Sequence, residues 1–90
     1  MSLSLVVDIL GWIGAVLLLY GYARVSSGKW TGGTKGYQVV NIAGSILFII
    51  NSGYHGAYPS VAVNVIWAAI ALVTLVKIGR QGAGGRRQEG

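Results

Sequence analysis

Three long apolar runs, parted by only two short junctions, limit what this sequence can become. The first covers Leu3 to Ala23, the second about Tyr37 to Tyr54, and the third about Tyr58 to Ile78. About 20 mainly apolar residues carry a helix across the hydrocarbon of a bilayer. Every peptide group in lipid must be bonded internally, which a helix achieves alone. Glycines within the runs fit this reading, because helices in lipid approach closely at small residues. The expectation is an all-α integral membrane protein, a bundle of three transmembrane helices. The helices are predicted over about 3–24, 36–54 and 58–78 in a membrane domain 1–78, followed by a disordered basic cytoplasmic tail over 79–90.

Composition supports the runs. Of 90 residues, 53% are hydrophobic, seven are basic and two are acidic. A soluble domain carries about a quarter charged residues. A chain this short would also struggle to bury so much apolar surface within itself. No Lys or Arg precedes the first run, and the run is too long for the apolar stretch of a cleaved leader, so it reads as a helix that stays. The absence of cysteine removes disulfides, iron–sulfur clusters and thiolate chemistry.

The charges order the ends. Arg24, Lys29 and Lys35 lie between the first and second runs, and Lys77, Arg80, Arg86 and Arg87 lie at or after the end of the third. The second junction has only His55. Basic loops are retained in the cytoplasm. The expected topology is an N-terminus outside and a C-terminus inside a plasma membrane, with three crossings. The net charge of +5 then reflects topology and attraction to lipid rather than nucleic acid. In the hairpin turn Tyr54 to Pro59, the proline suits the first turn of a helix, and Tyr54 and Tyr58 suit the outer interface. Trp30 reads as an anchor for a first loop lying along the inner interface, and Arg24 and Lys77 as side chains reaching toward it.

Projected at helical pitch, the runs are one-sided. On the second, Tyr37, Asn41, Gly44, Ser45, Phe48, Asn51, Ser52 and His55 share a face opposite Val39, Ile42, Ile46, Ile49 and Ile50. On the third, Ser60, Asn64, Trp67, Ala68, Ala71 and Leu75 share a side. On the first, Gly11, Gly14, Ala15, Leu18, Gly21 and Tyr22 form a small-residue seam. The asparagines Asn41, Asn51 and Asn64 either hydrogen-bond helices together or line a solute path. Trp67 is either an aromatic wall or packing. His55, in a turn, reads as solvated. Asp8 is the one acid within a run and a candidate for ion coupling, or a side chain that simply reaches the interface.

No enzyme is expected. One histidine, no cysteine and two acids at opposite ends of the chain supply no catalytic set. No metal-ligand spacing or cofactor motif appears. Gly32-Gly33-Thr34-Lys35-Gly36 lacks the frame of a phosphate-binding loop.

The stretch from Gly44 through Phe48 to Tyr58-Pro59-Ser60-Val61-Ala62-Val63-Asn64-Val65 resembles the second and third helices of SemiSWEET sugar transporters, of the MtN3 and PQ-loop group. Gly11-Trp12-Ile13-Gly14-Ala15, Tyr54-His55-Gly56-Ala57-Tyr58-Pro59-Ser60 and Asn64-Val65-Ile66-Trp67-Ala68 look closer still to a group of small bacterial membrane proteins. The resemblance implies three-helix protomers in a parallel homodimer that carries a small polar solute, such as a sugar, by alternating access. It places the substrate-contacting asparagine on Asn64 and puts Phe48 where the family has tryptophan. Ala23-Arg24 stands where the family has a Pro-Gln pair. On this reading Asn64, Phe48, Asn41, Trp67 and Asn51 form the substrate site between two copies. The rival readings are a non-transporting scaffold or partner subunit, and a small ion pore.

Overall fold

The computed structural model describes residues 2–84, with side chains as far as residue 81. It is all-helical: α1 spans Leu3–Ser26, α2 spans Lys35–Tyr54 and α3 spans Tyr58–Gly84. Ser2 caps α1, its hydroxyl accepting from the Leu5 backbone N–H at 3.1 Å. Helices α1 and α2 both end in a glycine with positive φ, Gly28 at 79° and Gly56 at 72°. After α1, Gly28 N–H donates to Val25 O and Lys29 N–H to Arg24 O. After α2, Gly56 N–H donates to Gly53 O and Ala57 N–H to Ser52 O. Both ends are Schellman closures, which glycine makes without the Cβ penalty of a left-handed residue. Pro59 stands in the first turn of α3, where its missing N–H leaves no helical bond unmade.

The third helix runs past the expected end at Ile78 to Gly84, so residues 79–84 are helix rather than tail. No proline interrupts Lys77-Ile78-Gly79-Arg80-Gln81, and Lys, Arg and Gln favour helix. Residues 85–90 of the expected tail, with Arg86 and Arg87, lie outside the described residues.

The helices form an antiparallel row and not a closed bundle. α1 and α3 each pack on α2 and not on each other. Three glycines of α1 set its approach. A Cβ built on Gly14 would lie 3.1 Å from the carbonyl oxygen of Gly44, and one on Gly44 3.2 Å from that of Gly14. Backbone therefore meets backbone, as small residues allow between helices in lipid. Gly11 lies against Asn51, and Gly21 against Tyr37 and Val40. The short 54–58 turn sets α3 against a different side of α2, where Ser52 and Ser60 share a 2.9 Å hydrogen bond.

The buried side chains invert the order of a water-soluble core. Gln38, Asn41, Ser45 and Ser52 are buried, while Val7 and Ala71 are the buried apolar residues among those described. Val39, Ile46 and Ile50 face outward from α2, as expected, and Leu19 and Ile70 are 66% and 59% exposed. Two helices are long and apolar enough to cross a membrane, over Leu3–Ser26 and Tyr58–Gln81. α2 has the length but falls below the same apolarity, because polar residues occupy its buried face.

Candidate functional site

A cavity of about 360 Å³ opens between α1 and α2 toward the end that carries the N-terminus and the 54–58 turn. Asp8, Gly11, Trp12 and Ala15 line it from α1, and Phe48, Asn51 and His55 from α2. The spacing explains the set. Positions 8, 11, 12 and 15 recur on one side of α1 at intervals of three and four, as do 48, 51 and 55 on α2. Gly11 admits the Asn51 amide close to α1, and the small Ala15 leaves space that Trp12 and Phe48 border.

At the mouth, His55 Nε2 and Asp8 Oδ1 are 2.9 Å apart. An ionised carboxylate only accepts, so Nε2–H is the donor. His55 is the exposed turn residue expected, and the antiparallel pairing of α1 and α2 delivers Asp8 to it there. The two side chains are 45% and 49% exposed, and water screens the pair accordingly. The Tyr54 ring stands edge-on to the imidazole at 5.3 Å between centroids. Deeper in, Asn51 Nδ2 donates to Val7 O at 3.0 Å and ties α2 to α1.

The expected substrate residues divide. Phe48 and Asn51 reach the cavity. Asn41 is buried in α2 and does not line it. Asn64 is half-buried on α3, where Nδ2 donates to Ser60 O at 2.9 Å, one turn back in its own helix. Trp67, expected on the inward side, is 52% exposed. No residue of α3 lines the cavity. The cavity residues that sequence reasoning passed over for a site are Gly11, Trp12, Ala15 and His55. Their signal was three- and four-residue spacing, of Gly11, Trp12 and Ala15 with Asp8 and of His55 with Asn51, which becomes informative only once α1 is set against α2.

The opposite end holds the basic groups. The Arg24 guanidinium lies 5.1 Å from the centroid of the Trp30 ring and 5.9 Å from that of Tyr20. The two rings meet edge to face at 5.5 Å. Trp30 thus folds back on α1, and Arg24 lies over its ring and that of Tyr20. The loop before α2 is held by its own polar groups, with Thr31 N–H donating to Thr34 Oγ1 and Gln38 Nε2 to Gly32 O. Among the described residues no group of three or more metal-ligating side chains gathers.

A protein-family model matches residues 7–82, a range that takes in all three helices and the whole cavity. No curated protein and no solved structure matches the chain.

Proposed function

The chain belongs to that family, and from this premise we propose that it is a multi-pass membrane protein that carries a small polar solute. The observation behind this reading is a cavity edged by Asp8, Asn51 and His55 in a molecule whose outer surface is apolar. Only 17% and 6% of the residues in the apolar stretches of α1 and α3 are buried, whereas a core helix of a soluble protein is mostly covered. The long axis of 48 Å compares with about 40–45 Å for a bilayer with its headgroups. α2 crosses as the third span: its 20 residues reach about 30 Å, and its polar groups turn toward its neighbours. The basic end, with Arg24, Lys29 and Lys35, faces the cytoplasm, and the end with Asp8 and His55 faces outward.

The carrier is a parallel homodimer of SemiSWEET-like protomers in a bacterial plasma membrane. A row of helices leaves α2 open along one side, and a second copy related by a two-fold axis covers it there. Asn64 and Trp67, which line nothing within one chain, then have a facing partner to meet.

A second reading is a non-transporting membrane subunit. It draws on the pairings Asn51 with Val7, Ser52 with Ser60 and Asn64 with Ser60, which use polar side chains as ties between and within helices.

Cysteine chemistry separates the two, since the chain has no cysteine of its own. In proteoliposomes an Ala15→Cys variant reacts with a water-soluble thiol reagent if the cavity is hydrated, and Ile46→Cys does not. Uptake of a panel of labelled sugars, amino acids and amines is then compared with that of Ala15→Trp, which fills the cavity. Equal uptake by both proteins refutes the carrier site.

A further inference from the structure

We propose that the solute taken by this cavity is a small organic cation bearing an ammonium group. The inference rests on reading the cavity as a solute site and narrows what enters it. Asp8 is the one carboxylate among the lining residues, and no Lys or Arg joins it. The described basic residues Arg24, Lys29, Lys35, Lys77 and Arg80 lie toward the opposite ends of their helices or in the loop there. Local charge at the cavity is therefore negative in a chain whose net charge is +5.

Trp12 and Phe48 supply the second element. An ammonium over an aromatic face is attracted by the ring quadrupole, most strongly by indole, and more so as water is removed. A neutral sugar needs many donors and acceptors around it, and this lining offers three polar side chains, two of them already bonded to each other.

The His55 contact bears on how much of the Asp8 charge a ligand meets. The groups facing His55 are Asp8 from α1 and the Tyr54 ring from α2, and no α3 residue lines the cavity. A protonated imidazole satisfies the Asp8 charge and competes with a bound ammonium. A neutral imidazole leaves that charge to the ligand.

The test is calorimetric titration of tetramethylammonium chloride, with glucose in parallel, into the full chain in uncharged detergent at low salt. Saturable tetramethylammonium binding is expected, and glucose binding is not. Asp8→Asn and Trp12→Leu each weaken it about tenfold or more. Trp12 is 74% exposed, so its replacement leaves the packing intact and carries the test should Asp8→Asn not fold. Absence of tetramethylammonium binding overturns the inference, as does affinity unchanged in the variants. If glucose binds instead, the solute site survives and its cation class does not. If neither binds and the Ala15→Cys variant does not label with the thiol reagent, both readings fall.

Discussion

Asp8 and His55 lie 47 positions apart in the sequence, yet the carboxylate and imidazole meet at 2.9 Å. The contact joins the first turns of α1 to the end of α2 at the mouth of the cavity. It needs the two helices antiparallel and in one register, which the glycines of α1 impose. A bulkier side chain at position 11 or 14 would hold α1 away from α2 and part the pair.

The pair itself contributes little to stability, because both side chains are nearly half exposed. A double-mutant cycle with Asp8→Asn and His55→Gln, read by unfolding in detergent, should give a coupling of about 1 kcal/mol or less. A coupling several times larger would mean that the contact is shielded from water, as a second copy over the cavity would make it.

Glycines of the same helix pair should respond in opposite ways. A Cβ on Gly14 would meet Leu47 Cβ at 3.0 Å and Gly44 O at 3.1 Å, and neither can swing aside. Gly14→Ala should cost about 1–3 kcal/mol by overpacking. Nothing lies within 4 Å of a Cβ on Gly53, so Gly53→Ala should be neutral or stabilise by about 0.5–1 kcal/mol through helix propensity. Chemical unfolding of both variants in one detergent checks the contrast.

Gly56 also has open space around it, but its φ of 72° is left-handed. Gly56→Ala should destabilise by about 1 kcal/mol through backbone strain alone. If it matched Gly53→Ala, the Schellman closure would not persist in the membrane.

Removing the Asn51 amide leaves Val7 O without that donor. Asn51→Ala should lower stability by about 0.5–2 kcal/mol, in the range of hydrogen bonds between membrane helices. It should also raise thiol labelling of Ala15→Cys by loosening the α1–α2 seam. Unchanged stability together with unchanged labelling would deny the tie.

Topology is open to direct measurement. In spheroplasts, cysteine at position 57 should label with an impermeant reagent, and cysteine at position 32 should label only after the membrane is breached. The reverse pattern would invert the assigned orientation and put the cavity mouth in the cytoplasm.

Much of the fold was legible because periodicity and length are local properties. The outward-facing Val39, Ile46 and Ile50 and the packed Gly11, Gly14 and Gly21 follow from residue spacing on single helices. The end of α3 was not legible, since glycine and basic residues after Ile78 resemble a tail in composition and still permit helix. Trp67 borders the inward side of α3 by angular position and is exposed within one chain, since a boundary position is settled by where the neighbouring helix sits. Asn64 was assigned by resemblance, and within one chain it bonds back to Ser60.

Three apolar runs with two junctions were enough by themselves to determine three helices and which of their faces are apolar. Hydrophobicity and helical pitch act within about 20 residues and need no partner. Only the tertiary structure decided that the helices stand in a row, that Asp8 meets His55, and that the cavity belongs to α1 and α2. Those outcomes depend on how closely two backbones approach at Gly14 and Gly44 and on the register that follows. Such steric facts relate residues 30 positions apart and are not written in either helix alone.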